Sequence, residues 1–289
     1  MEQANNLDSE IEAKLLSAVD RMPAFPSSVQ KILELSGDIN CPPKDLVAII
    51  ERDPVMTMKI LKVINSAYYS LPNKINSVAQ SVVYLGINTV KNLALAIAAV
   101  GVLPSRNPKN FDIRKYLVHS LSTACIARQL CTLVKGDLEP GDAYIAGLLH
   151  DFGKVVMAQY MSDEYQQIMV MVQQHEISLD QAEREVLGID HALVGAMLTR
   201  RWQFPYELSE CIADHHNPDA EPTLLLDCVR VANQISRREK LGNGNNPFRE
   251  SEKLASTRFG VNFDAVVQSL GDVQGFIEEA EMFASVGSS

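Results

Sequence analysis

Apolar residues recur at helical spacing along most of this chain, and that period restricts the fold more than any other feature. Ser28 precedes Val29, Ile32, Leu33 and Leu35, a stripe that Gly37 closes. Pro43 then leads Leu46, Val47, Ile49 and Ile50 until Asp53-Pro54 interrupts the run. Val55, Met58, Ile60, Leu61 and Ile64 form the next stripe, and residues 77–85 and 89–102 give two more, parted at Gly86. A polar loop with two prolines, 103–110, is the clearest boundary. Beyond it the spacing predicts a long helix over 113–135, with further helices over 142–150, 162–174, 179–187, 191–202, 205–216 and 224–240. No stretch alternates like a strand for more than a few residues, and a weaker helical tail follows the loop at 242–247. The expected fold is all-α, a two-subdomain helical bundle divided into 1–106, 107–245 and a tail at 246–289.

Composition narrows what such a bundle can do. At 289 residues, 46% hydrophobic and 21% charged, the chain is long enough for one large core or two modest ones. A net charge of -10 argues against a general nucleic-acid surface, which would need a basic face. The clusters Arg200-Arg201 and Arg237-Arg238-Glu239-Lys240 are therefore expected on solvated helix faces, where either could grip one small phosphate. The longest apolar run ends at Pro104 well short of the roughly 20 residues a membrane span requires, so no membrane is expected as partner. The N-terminus is acidic and polar, unlike a leader peptide. Five cysteines (Cys41, Cys125, Cys131, Cys211, Cys228) contain no C-x-x-C pair and fall mostly in apolar helical patterns. Buried free thiols in a reducing compartment, the cytoplasm, are the expectation.

The chemistry concentrates in histidine. Five of the 6 histidines lie at His119, His150, His191, His215 and His216, and none precedes His119. Taken singly, each is more often a satisfied core or capping residue than a ligand. Their clustering on successive predicted helices changes that, because bundle metal sites draw ligands from several facing helices. His150 is followed by Asp151 in a small, apolar stretch, Ala146-Gly147-Leu148-Leu149. A carboxylate buried there needs a cationic partner or a metal. On one helix the two side chains would diverge by about 100°, yet both could reach an ion near a helix end loosened at Gly153. Pro218 places the His215-His216 doublet in a last helical turn, where the helix dipole favours a cation. Asp190 looks like an N-cap for the helix that His191 starts, whereas His175 has no companion and is expected at the surface.

The segments YLVHSLSTA, AGLLHDFGK, GIDHALVGAMLTRRWQFP and IADHHNP, taken in order, resemble the HDOD family, a branch of the HD-domain metal-dependent phosphohydrolase superfamily. MPAFPSSVQKILEL, IIERDPVMTMKILKVINSAYYS and SVAQSVVYLGINTVKNLAL are similar to that family's first subdomain, so the resemblance covers about residues 20–240. It implies that 1–106 is an HDOD-type subdomain and 107–245 an HD-like bundle. It also implies that His119, His150 and Asp151 are metal ligands. The superfamily's last ligand is an aspartate, and VRVAN puts Asn233 there; Asp227 is a less apt substitute. His191, His215 and His216 match ligands that support a second metal in the related HD-GYP phosphodiesterases, and Lys154 matches a lysine that contacts substrate phosphate.

Two departures bear on activity. Lys115 stands where HD-GYP enzymes carry a glutamate, and HHNPDAEP lacks their G-Y-P loop, so cyclic-dinucleotide hydrolysis is not expected. The resemblance implies a bacterial signal-transduction module that binds a signalling protein or a small phosphorylated ligand, with a degenerate or partly retained metal site. The alternative it leaves open is a metal-dependent phosphohydrolase in which Asp151 and Lys154 are catalytic. The expected cofactor is a divalent metal: Fe, Mn, Ni, Zn or Mg.

Overall fold

Short polar side chains cap several of the helices, and the Asp190 cap of the helix that His191 starts is the expected one. The computed structural model describes residues 9–36, 42–66, 69–134, 136–242, 258–271 and 274–287, and among these there are helices and no strand. The chain opens with α1 (Ser9–Arg21), α2 (Ser27–Ser36) and α3 (Pro43–Glu51), whose first residue is the expected proline. Asp53 caps α4 (Pro54–Ile64), its carboxylate accepting from Met56 N at 3.0 Å, and Ser77 caps α5 (Val78–Leu85) through Gln80 N. Gly86, with φ 80°, makes the joint to α6 (Ile87–Gly101).

Asp112 caps α7 (Ile113–Leu133), and α8 (Pro140–Leu149) and α9 (Phe152–Tyr160) follow. Next come α10 (Ser162–His175), α11 (Leu179–Leu187), α12 (His191–Arg201) and α13 (Tyr206–Asp214). The last are α14 (Leu224–Arg238), α15 (Phe263–Ser269) and α16 (Gln274–Gly287). Gly37, the expected end of the second helix, and Cys41 lie outside the described residues. No helix among the described residues is long and apolar enough to cross a membrane.

The chain divides into two compact units, but not as three consecutive segments. One unit takes Met1–Pro23 with Pro104–Gly271, the other Ala24–Leu103 with Asp272–Ser289. One division between the units falls at Pro104, in the proline loop. Helix α1, however, lays Leu15, Ala18 and Val19 against α9 and α12, because an amphipathic helix cannot bury its apolar face alone. Arg201, exposed as expected, also donates to the carbonyls of Met22 at 3.0 Å and Asp20 at 2.8 Å, and Trp202 Nε1 donates to Pro23 O at 3.1 Å. At the other end, α16 packs on α4 and α6.

Glycines set the close helix approaches in the larger unit. A Cβ on Gly147 of α8 would lie 2.8 Å from Ala124 Cα of α7. One on Gly153 of α9 would fall 1.9 Å from the His191 carbonyl oxygen of α12. These contacts of backbone on backbone bring α7, α8, α9 and α12 together around one buried point.

Candidate metal centre

That point is the histidine series. His119 projects from the middle of α7, His150 closes α8, Asp151 opens α9, His191 opens α12, and His215 and His216 follow α13. The expectation that His150 and Asp151 share one helix end loosened at Gly153 is corrected: they form a tight joint between two helices. Gly153 serves a different purpose, admitting the His191 backbone. The histidine doublet likewise stands just past the last turn of its helix rather than inside it. His175 is exposed, as expected.

Asp151 is the hub. His119 Nε2 and His150 Nε2 lie 3.3 and 3.4 Å from its Oδ2, and Lys154 Nζ donates to the same oxygen at 2.6 Å. Its Oδ1 faces His191 Nε2 at 3.1 Å and His215 Nε2 at 3.8 Å. The donors thus form two groups, His119-His150-Asp151 and Asp151-His191-His215-His216, joined by one carboxylate with an oxygen toward each. Carbonyl oxygens fix the far ring nitrogens: Gly147 O lies 2.7 Å from His150 Nδ1 and Ile212 O 2.7 Å from His215 Nδ1. Ser236 Oγ lies 3.2 Å from His119 Nδ1. With each Nδ1 bound to a carbonyl, the Nε2 lone pairs of His150 and His215 point inward, as metal ligands require.

Burial explains the titration of the set. It lowers His119 and His215 and pushes His150 down to about 3, even with Asp151 beside it. Burial works to raise Asp151, but His150, Lys154, His119 and His191 outweigh it and hold the carboxyl well below the usual range. Burial also lowers Lys154, against the pull of Asp151. His191 goes the other way. Burial would lower it, yet Glu183 and the Asp151 contact raise it to about 9.

Glu183 is a site residue that the sequence reading missed. It is fully buried on α11, and its Oε2 accepts from the His191 backbone N–H at 2.9 Å and lies 2.5 Å from His191 Nδ1. A signal existed: Glu183 shares a helix face with Leu179 and Leu187, both buried, so it was bound to point inward. Arg237 was also misjudged. It is 6% exposed instead of solvated, and its charge reaches His119 and Lys154.

Asn233 lies on the same α14 face as Ser236 and Arg237, at the positions three and four residues before them. It is fully buried, and neither atom of its amide has a hydrogen-bond partner. Asp227 is no substitute, since its carboxylate is bound to Arg258. Lys115 is exposed.

The donor set fits a divalent cation. His150 Nε2 and His215 Nε2 are buried without a hydrogen-bond partner, which is costly unless something else binds them. His191 Nε2 and His216 Nε2 face each other at 3.1 Å. An imidazole-rich set with one carboxylate suits a transition metal.

Comparison with known proteins agrees with this picture. The HDOD domain model matches residues 22–218. A protein of Treponema pallidum (strain Nichols) is 26% identical over 283 residues, 96% of this chain and 53% of its own length. Ribonuclease Y of Thermus thermophilus is 29% identical over 168 residues, 56% of this chain and 24% of the enzyme. The chain therefore spans about half the length of the first curated relative and about a quarter of the second. Among solved structures, an HDOD domain protein from Geobacter sulfurreducens superposes with a TM-score of 0.79 at 24% identity, covering 96% of this chain and 97% of that one. A "Putative signal transduction protein" from Marinobacter aquaeolei VT8 gives 0.80 at 23% identity, over 100% and 68% of the two chains. A "Putative phosphohydrolase" from Shewanella amazonensis SB2B gives 0.74 at 24%, over 94% and 98%. At these identities the structures establish the shared fold, and the family match establishes kinship: this chain belongs to the HDOD family.

Proposed function

We propose that this protein is a bacterial signalling module whose metal centre is retained as a buried structural or regulatory element instead of a working catalytic site. The observation that carries the reading is closure. His119, His150, Asp151, Lys154 and His191 are each 0% exposed, and only His216 of the two ligand groups is more than marginally accessible. A phosphate ester could not reach the centre of such a cluster without the helices parting. Lys154 holds Asp151 rather than an open position, and Asn233 supplies no charge where the superfamily has an aspartate. The ligands would be His119, His150, Asp151 and Asn233 on one side and His191, His215 and His216 on the other. Imidazole predominance favours iron, zinc or nickel over magnesium or manganese. Its partner would be a signalling protein or a small phosphorylated ligand, with no part for nucleic acid. Cytoplasmic residence belongs to the same reading, supported by buried thiols at Cys125, Cys131, Cys211 and Cys228.

One observation favours a second reading, a metal-dependent phosphohydrolase: two ligand groups share a single carboxylate, which could hold two cations side by side as two-metal hydrolysis uses them. A divalent cation bound there would supply Lewis-acid polarisation of a phosphoryl oxygen. In that case Asp151 would join the two halves, Lys154 would leave it to meet phosphate, and Glu183 would orient His191.

The deciding experiment measures bound metal and hydrolysis of bis(p-nitrophenyl) phosphate for the wild type, His150→Ala and Asn233→Asp. The signalling reading expects metal in the wild type and turnover no greater than in His150→Ala. Turnover that His150→Ala abolishes would establish the hydrolase instead.

A further inference from the structure

Away from the metal cluster, the same helices enclose a groove of about 710 Å³. The segment between α7 and α8, the start of α8, one side of α13 and the first turn of α14 line it. Its floor is apolar, with Leu208, Leu225, Leu226 and Cys211 buried. Its rim is acidic: Asp137, Asp142, Glu207 and Glu221 are exposed, and Glu210 and Asp214 lie half-buried between them. Among its described lining residues the only cation is Arg258, which Asp227 already holds. Tyr206, 69% exposed, stands at the edge.

We infer that this groove docks a basic amphipathic segment of a partner protein, with apolar side chains on the floor and lysines or arginines against the rim. Charge complementarity selects the partner's sign, since an acidic segment would meet six carboxylates, of which Glu210 is neutralised by Arg200. Anatomy selects a protein over a small molecule. Small-ligand pockets converge buried polar groups on their ligand, whereas here the centre is apolar and the charges stand at the solvent margin, as in a protein interface. The exposed Tyr206 ring adds a face for a cation.

The groove also connects with the metal centre. Asp214 lines it and is followed directly by the ligands His215 and His216. Arg230 of α14 donates to the carbonyls of Asp214, at 2.7 Å, and Asn217. A segment pressing on α13 and α14 would therefore bear on the second ligand group. As a device for signalling, the inference rests on the regulatory reading given under Proposed function.

The test uses the full chain and a fluorescein-labelled 18-residue helical peptide with leucine on one face and lysine on the other, followed by anisotropy. A Leu/Glu peptide of the same pattern is the control. We expect the basic peptide to bind and the acidic one not to. Tyr206→Ala with Glu207→Lys and Glu221→Lys should weaken binding at least tenfold, whereas Asp163→Lys with Glu176→Lys, outside the groove, should change it less than twofold. All these positions are exposed, and circular dichroism confirms that each variant folds. Equal losses in both variants would reduce the binding to bulk charge and overturn the proposal. So would a wild-type dimer that the groove variant converts to monomer, which would put a second copy of the chain there. Metal content separates the two claims: groove variants should keep it, and His150→Ala should lose metal while still binding the peptide.

Discussion

Without its carboxylate, Asp151 would take from the buried Lys154 the ion pair that the two make at 2.6 Å. Breaking a buried pair from one side costs about 3–5 kcal/mol, and here the carboxylate also faces four imidazoles. Asp151→Asn should therefore destabilise the metal-free protein by about that amount in urea unfolding. A change below about 1 kcal/mol would mean that Lys154 finds water instead. His191 makes a different prediction. Raised to about 9 by Glu183 and Asp151, it holds two ring protons at neutral pH, and its Nε2 must release one to become a ligand. Metal binding at pH 7.5 should release about one proton from it, read by calorimetry in buffers of differing ionisation enthalpy. Glu183→Gln should remove that release. The acid side has the opposite sign. His119, His150 and His215 are held below the ordinary value of about 6.5, so the unfolded chain binds protons first as pH falls. Stability of the metal-free protein should drop from pH 6.5 downward by up to about 1.4 kcal/mol per unit for each such histidine, down to about 3 for His150. His191 contributes its stabilisation fully below about 6.5 and loses it as pH rises through about 9. A stability curve flat from pH 4.5 to 6.5 would contradict this account.

At the scale of elements, the site depends on how closely α9 and α12 approach. Gly153→Ala would set a methyl 1.9 Å from the His191 carbonyl. The helices must then separate, costing about 3 kcal/mol or more and moving His191 from Asp151. A lowered thermal midpoint together with weakened metal binding is the expected result; wild-type behaviour in both would mean that the contact is slack. The same scale shows what the sequence could convey. Caps and apolar stripes marked nearly every helix, because both are local properties of the chain. Helix α9 went unread: Phe152, Val155, Val156 and Met157 are all buried, and a helix apolar on nearly all sides carries no face to detect. Helix α1 was passed over as a polar terminus, although Leu15, Ala18 and Val19 form a narrow stripe. The histidines were legible because their clustering along the chain is itself a signal. Glu183 and Arg237 were not, since their roles arise only when distant helices meet.

For the whole molecule, the central claim is that four helices and two helix joints bury a cluster of donor atoms that remains unsatisfied until it binds a cation. Domain order along the chain did not reveal this, because α1 joins the metal-bearing unit from the far end of the sequence. Asp151 faces Lys154 and His191, whose far nitrogen Glu183 holds, so a cation reaching Asp151 would displace the His191 proton. The most direct measurement is metal content by inductively coupled plasma mass spectrometry, on protein expressed with iron, zinc, nickel and manganese supplied together. The account predicts at least one transition-metal equivalent per chain, lost in Asp151→Ala and reduced in His119→Ala and in His191→Ala. Wild-type protein that emerges metal-free, and takes up none when the same ions are added back, would contradict it.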